Sequence, residues 1–163
     1  VPFNGKRIAI TSVHTTVGGG MFDTEADRTN RIRNKQLLQA LHATAATQAD
    51  IRIILGDFNA GPGVSEMNYQ LMLDNNYLDT YSEVYQEEGE CITWNPMNKL
   101  NYNGYFPTSP PQRIDNIFID KDAHQFFEVL EANVMLREEV LDAGAMRVPL
   151  SDHYGYFCRI KVE

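Results

Sequence analysis

The sequence IRIILGDFN at residues 51–59 indicates how the chain folds. Its first five residues, 51–55, form a nearly all-apolar run, which is typical of a strand buried on both faces of a sheet. The run stops at Gly56, and the polar side chains of Asp57 and Asn59 follow directly. A polar loop therefore leaves the end of a buried strand, which is where open α/β sheets bind their ligands.

Two amphipathic helices are predicted on either side of this strand. The first follows a capping-box pattern at residues 24–27 and ends near Gln48, and the second begins at the N-cap Ser65 and ends at residues 75–76. Their inward positions are Ile32, Leu37, Leu38, Leu41 and Ala45 in the first helix and Met67, Leu71 and Met72 in the second.

Further strands are predicted on both sides of these helices. Residues 7–15 (RIAITSVHT) alternate and are rich in β-branched side chains, so they predict a strand that ends at His14. The later strands are predicted at residues 91–94, 113–119, 126–136 and 154–162. Residues 95–112 contain four prolines and predict a long exposed loop, a candidate substrate-facing surface. The order of elements predicts a mixed α/β protein with a sheet core and outer helices.

The composition limits the classes of function. The 163 residues are 43% hydrophobic and contain no repeat or linker-like segment, which predicts a single structural unit. A net charge of −8 argues against a protein that holds nucleic acid by bulk electrostatics, although a nuclease that uses local metal ions stays open. No apolar run of about 18 residues and no basic-then-apolar leader occur, so we expect a soluble stretch without a membrane span or intact secretion signal. The two cysteines, Cys91 and Cys158, are too few for a disulfide framework.

Four short polar segments lie at the edges of predicted strands and together form the candidate site. They are His14 in SVHTT, Asp57 and Asn59 in GDFN, Asp115 in RIDNIF, and Asp152 with His153 in SDHYG. Each also has a structural interpretation, because GDFN and SDH are compatible with plain turns and His14 with a structural histidine. Asp115 lies on a strand face with apolar residues, so its charge needs a partner, for which His153 is suitable.

In this order the four segments resemble the endonuclease/exonuclease/phosphatase superfamily over the whole chain. The resemblance implies a two-sheet αββα sandwich and metal-dependent cleavage of a phosphoester by an activated water. It also implies that residues 1–163 are the C-terminal portion of one such domain, without the N-terminal strands and helix. Members carry an Asn and the principal metal-binding Glu before the strand of His14. Glu25, Glu66 and Glu83 lie in the wrong places for that role, so the resemblance implies an incomplete metal site in this stretch.

The resemblance implies a role for each catalytic side chain. His153 is similar to the general base that deprotonates the water, and Asp115 to the carboxylate that orients this base. Asp57 and Asn59 are similar to the pair that positions the water, the phosphate and a metal ion. His14 is similar to the histidine that donates a hydrogen bond to the phosphate or a proton toward the leaving oxygen.

The same resemblance implies the metal site. Its expected ligands are Asp57, Asn59 and Asp152, the last at the metal or at its water. Because all three offer oxygen atoms, they suit Mg²⁺ or Mn²⁺.

Two segments resemble the neutral sphingomyelinase-like branch of this superfamily, namely GVSEMNYQLMLDNNYLDTY at residues 63–81 and CITWNPMNKL at residues 91–100. They imply a phosphodiesterase that prefers a phospholipid or small phosphodiester headgroup over nucleic acid. Loop aromatics at Tyr102, Tyr105 and Phe106 are candidates for insertion at a lipid interface or for pinning the loop.

Two alternatives to this function stay open. The first is a DNase-like endonuclease or exonuclease, which requires basic residues around its pocket, whereas those of this chain concentrate at residues 28–35. The second is a non-catalytic fragment or binding domain, which the missing metal-binding Glu favours.

Overall fold

The computed structural model describes residues 1–18, 24–85, 91–101 and 109–163, and the side chains of the first helix from residue 28 onward. The strands are β1 (Pro2–Phe3), β2 (Lys6–His14), β3 (Ile51–Asp57), β4 (Tyr77–Asp79), β5 (Asp115–Asp120), β6 (Phe127–Met135), β7 (Leu141–Ala143), β8 (Met146–Val148) and β9 (Gly155–Val162). The helices are α1 (Thr24–Ala45), α2 (Glu66–Asp74), α3 (Thr80–Val84) and a 3₁₀ helix (Lys121–Phe126). The predicted capping box at 24–27 and the loop aromatics at 102–106 lie outside the described side chains.

The main sheet has five strands in the order β1-β2-β3-β5-β4. β3 lies in its middle, parallel to β2 and antiparallel to β5, which explains why its sequence is almost entirely apolar. Gly56 has a φ of 130°, and a Cβ atom there would collide with the carbonyl oxygen of Val13 on β2. Only glycine therefore lets the two strands approach this closely just before Asp57.

Two apolar cores cover the two faces of the main sheet. On one face, Leu37 and Leu41 of α1 and Met72 of α2 pack against Ile54 and Phe118 of the sheet. The opposite face packs against the two-stranded sheet of β6 and β9 in a second core, which contains Ile51, Ile53, Leu78, Ile119, Ala123, Phe127 and Val162. This layering of helices, sheet and sheet is the α+β sandwich expected from the sequence. Within the described residues, no helix is both long and apolar enough to cross a membrane.

The buried face of α1 differs in part from the prediction. Leu37 and Leu41 are buried, and the helix ends at Ala45 rather than near residue 48. Three positions predicted to face inward are exposed, namely Ile32, Leu38 and Ala45. Arg33 and Thr44 are buried instead, because both find main-chain carbonyl oxygens as hydrogen-bond acceptors.

The second helix also buries a more polar face than predicted. α2 follows Ser65, but this residue adopts a left-handed conformation with φ of 48° and its side chain makes no capping bond. Met72 is buried, whereas Met67 is 53% exposed and the position after it, Asn68, is fully buried. The buried Asn68 is stable there because its amide bonds to α1.

Two of the predicted strands change. Residues 91–94 do not form a strand, and only isolated bridges join Trp94 to Gln112 and His153. β5 begins at Asp115 rather than at residue 113. The short strands β1, β4, β7 and β8 were not predicted, since two or three residues are too few to show a period.

Candidate active site at the edge of the main sheet

Three predicted site residues lie side by side on the central strands of the main sheet. His14 pairs with Asp57 in the parallel register of β2 and β3, and Asp57 pairs with Asp115 in the antiparallel register of β3 and β5. Directly paired residues point to the same face of a sheet, so these side chains form a row. We call His14, Asp57 and Asp115 the site row.

His153 joins this row through a hydrogen bond to Asp115. Its Nδ1 lies 2.8 Å from Asp115 Oδ2, within the range of 2.6–3.2 Å that a base and its orienting group require. Because Nδ1 is engaged in this bond, Nε2 is the ring nitrogen left to accept a proton from water. Burial alone lowers the pKa of His153, but the hydrogen bond to Asp115 and the charges of Asp115, Asp57 and Asp152 outweigh burial and raise it.

Asp57 lies between the two histidines and is held by the loop that follows it. Its Oδ1 accepts a 2.7 Å hydrogen bond from the Asn59 N–H, and its Oδ2 lies 3.5 Å from His14 Nε2. Burial is the main reason that the pKa of Asp57 is raised, and the charge of Asp115 adds to this effect. The Asp57 carboxylate is 17% exposed, so it remains open to a ligand.

Asn59 is fixed by a local turn with a φ of 46°. Its Nδ2 donates a 2.9 Å hydrogen bond to the carbonyl oxygen of Thr15, directly after His14. No described group donates to its Oδ1, so that oxygen is the atom available to a metal ion, a water or a phosphate. Asn59 therefore links the loop after β3 to the end of β2.

His14 is the most exposed member of the site row, with 76% of its side chain accessible, and the chain after it is anchored by α1. The buried Arg33 donates from Nε to the Thr16 carbonyl oxygen at 3.0 Å and from Nη2 to the Gly18 carbonyl oxygen at 2.5 Å. The Thr16 N–H donates in turn to Gln36 Oε1 at 2.9 Å. The exposed imidazole therefore projects from a backbone that is held in place by α1.

Asp152 does not belong to the group of converging metal-ligand atoms in the described residues. Its carboxylate is exposed and accepts a 3.2 Å hydrogen bond from the Ser151 hydroxyl. The metal-ligand atoms that converge within 4.8 Å of one another belong instead to Asp57, Asp115 and His153. Asp115 and His153 already bond to each other, so the free donors of this group are mainly carboxylate oxygens, which suit a hard divalent cation. The expected ligand roles of Asp57, Asn59 and Asp152 remain predictions.

Thr93 is fully buried beside the site, and no role was predicted for it from the sequence. Its Oγ1 accepts hydrogen bonds of 3.1 Å from the N–H groups of both Ile114 and Asp115. Thr93 therefore fixes the backbone from which the Asp115 side chain projects. The signal was present, because this residue begins the Thr-Trp-Asn-Pro part of the segment at residues 91–100.

Comparison with known proteins identifies the family. Residues 3–153 match the Endonuclease/Exonuclease/phosphatase family, and the chain belongs to this family. Its fold is the phosphoesterase and nuclease fold of the family, whose members are hydrolases that generally depend on divalent metal ions. Comparison with curated proteins gives no match.

Solved structures with this fold include three that differ widely in sequence. Beta toxin from Staphylococcus aureus is 24% identical with a TM-score of 0.71, and the match covers 97% of this chain and 54% of that one. TDP2 from D. rerio is 18% identical with a TM-score of 0.68, and the match covers 98% of this chain and 58% of that one. The 3′ phosphatase NExo from Neisseria is 16% identical with a TM-score of 0.63, and the match covers 93% of this chain and 60% of that one. The chain therefore spans between 54% and 60% of the length of these structures.

Proposed function

We propose that this protein is a metal-dependent phosphodiesterase that uses an activated water to hydrolyse a phospholipid or small phosphodiester. The observation that carries the proposal is the 2.8 Å hydrogen bond between His153 and Asp115, formed beside Asp57 and His14. A base whose second nitrogen is held by a carboxylate, next to a further carboxylate and an exposed imidazole, matches what phosphoester hydrolysis needs. We also propose that residues 1–163 form the C-terminal portion of the catalytic domain.

Each polar side chain has one part in the proposed reaction. His153 Nε2 takes a proton from the attacking water, while Asp115 holds the ring and stabilises the imidazolium that forms. Asn59 Oδ1 and the Asp57 carboxylate orient the water and the phosphate. His14 donates a proton toward the leaving oxygen. Its side chain is exposed, which leaves room for a substrate. A divalent ion, when bound, supplies Lewis-acid stabilisation of the phosphoryl charge.

Residues 1–163 alone are expected to bind Mg²⁺ weakly and to show little turnover. Mg²⁺ needs near-octahedral oxygen ligands, and Asp57, Asn59 and Asp152 offer only part of such a set. In calorimetric titration we expect a small heat signal that does not saturate, because no full set of oxygen ligands surrounds the ion. The variant Asp57→Asn should weaken the heat signal further. Tight binding with full turnover would instead show a complete metal site built from residues outside this set.

An exposed apolar surface beside the site favours a lipid substrate over nucleic acid. We call this surface the apolar rim, and it consists of the exposed residues Met135, Leu136, Val140 and Leu150. These four residues line one open groove of about 450 Å³, together with the charged residues Arg137 and Glu138. The rim ends at Leu150, three residues before His153. A lipid surface that binds the apolar rim would therefore bring its headgroups close to the His153 base.

The substrate class is tested by assaying the full-length protein with Mg²⁺ against sphingomyelin-type micelles and against plasmid DNA. We expect lipid headgroup release to exceed DNA nicking by at least about tenfold, the difference that roughly 1.4 kcal/mol of preferential recognition produces. Val140→Ser should lower turnover of the micelles but spare a soluble aryl phosphodiester. Leu130→Ser, which changes an exposed leucine of β6 outside the rim, serves as the matched control.

A nuclease is the second candidate, because two structures with this fold were solved with DNA. They are TDP2 with a single-strand DNA product and NExo with a product DNA hairpin. The net charge of −8 weakens this candidate, since phosphate contacts to a long polyanion depend on Lys and Arg. Rapid DNA nicking without lipid turnover would make the nuclease the primary function. If the full-length protein shows neither lipid turnover nor DNA nicking, the non-catalytic alternative would be favoured.

A further inference from the structure

Two side-chain amides converge on the peptide directly before His153. Asn98 Nδ2 donates to the carbonyl oxygen of Ser151 at 3.0 Å and to that of Asp152 at 3.2 Å. Asn101 Nδ2 donates to the same Asp152 carbonyl oxygen at 2.9 Å. One main-chain carbonyl thus receives two amide donors from a loop about 50 residues earlier in the chain.

Asn98 is itself held firmly at its other atoms. It is only 3% exposed, its Oδ1 accepts a 3.0 Å hydrogen bond from the Leu100 N–H, and its own N–H donates to the Asn95 carbonyl oxygen. The Leu100 bond fixes Oδ1 as the acceptor and directs Nδ2 toward the carbonyl oxygens of residues 151 and 152. The side chain is therefore committed to a single orientation.

The residue after His153 is attached to the same loop. The Tyr154 N–H donates a 2.7 Å hydrogen bond to the carbonyl oxygen of Thr93, whose side chain also holds the backbone of Asp115. The loop at residues 93–101 therefore fixes the backbone on both sides of His153 and the backbone of its partner. Small backbone shifts matter here, since a misplacement of about 1 Å in a catalytic group is costly.

We propose that Asn98, assisted by Asn101, is a positioning residue that holds the backbone at Asp152 so that the His153 ring meets Asp115. Only the effect on turnover rests on the proposed function, because the geometric role of Asn98 stands without it. Loss of the Asn98 amide leaves the carbonyl oxygens of Ser151 and Asp152 without this donor. The backbone then gains freedom at the point that sets the direction of the imidazole.

The variant Asn98→Asp separates this role from a general role in loop shape. Its carboxyl group keeps the acceptor for the Leu100 N–H but lacks the two amide protons, so even when protonated it can donate to only one of the two carbonyl oxygens. Asn98→Ala removes both functions. Asn68→Ala is the matched control, because Asn68 is equally buried and also donates two hydrogen bonds, but it contacts α1 rather than the loop before His153.

Two measurements test the proposal. In proton NMR, the wild-type chain should show a slowly exchanging signal from the His153 Nδ1 proton, which Asn98→Asp and Asn98→Ala lose and Asn68→Ala keeps. In the full-length protein, both Asn98 variants should lower kcat by roughly 10- to 100-fold, the usual effect of removing a group that orients a catalytic side chain. KM should change by less than about threefold, because substrate contacts remain.

The outcomes separate the positioning role from the proposed function. An Asn98→Asp variant that keeps the His153 signal and wild-type kcat would overturn the positioning role. If neither Asn98 variant folds, Asn101→Ala removes one donor from the less buried residue, and an unchanged signal in this variant would overturn the role. Absence of phosphodiester turnover in the wild type would overturn the proposed function, while the NMR comparison would still decide the role of Asn98.

Discussion

His153→Ala is expected to lower kcat of the full-length protein by about 10²- to 10⁴-fold, the contribution of a positioned general base. The melting temperature should hardly change, because the ring and its hydrogen-bond partner Asp115 are both partly exposed to water. Asp57→Ala should cause a loss of similar size by removing the carboxylate that orients water and phosphate. Turnover with a defined substrate and thermal unfolding, measured on the same preparations, check both expectations.

Two controls make the His153 result specific. His124→Ala changes an exposed histidine that contacts Glu83 beyond the opposite end of β5, and it should leave kcat unchanged. Asp115→Asn should lower the pKa of His153, because it removes a charge that raises this pKa. Since the base must be neutral, the fall in rate at acidic pH should then move to lower pH. Parallel losses of stability and activity in His153→Ala would instead support a structural histidine.

Breaking the buried ion pair between Arg113 and Asp79 is expected to lower the free energy of unfolding far more than breaking an exposed ion pair. Arg113 Nη2 lies 2.6 Å from Asp79 Oδ2, and the two side chains are 3% and 1% exposed. Asp79 also accepts hydrogen bonds from the Tyr69 hydroxyl at 2.8 Å and the Tyr81 N–H at 3.0 Å. Asp79→Ala should therefore lower the free energy of unfolding by about 3–5 kcal/mol, because it removes a buried carboxylate that bonds to Arg113, Tyr69 and Tyr81.

Chemical denaturation of residues 1–163 measures this loss. The expected loss is a large share of the total, since domains of this size are stable by about 5–15 kcal/mol. Arg159→Ala is the control, because it breaks an exposed pair with Glu131 and should cost less than about 1 kcal/mol. A double replacement of Asp79 and Arg113 by apolar residues should recover part of the loss. A loss below about 1 kcal/mol in Asp79→Ala would show that the cation is satisfied without this carboxylate.

The long strands of the fold could be predicted because their burial repeats along the sequence. β2, β3 and β9 each lie where an alternating or all-apolar run predicted them. The inward face of α1 could not be predicted fully, because Arg33 is buried through hydrogen bonds to carbonyl oxygens of a distant loop. Such acceptors carry no side-chain signature in the sequence.

The same distinction applies to the candidate site. The side chains of the site row and His153 were named from short motifs. Strand register brings the site row together, and a hydrogen bond to Asp115 adds His153. The residues that hold them, such as Thr93 and Asn98, act on backbone N–H and carbonyl groups that every residue possesses. Their partners could therefore be found only from the folded chain.

The site row also ties chemistry to the pairing of strands. Asp115 is the first residue of β5 and lies opposite Asp57 in the antiparallel register. A slip of one residue between these strands would turn Asp115 to the other face of the sheet, and the apolar side chains of β5 would change faces with it. A molecule with that register would lack the site row. After refolding, the return of the hydrogen bond between His153 and Asp115 would therefore report that β5 has reached its correct register.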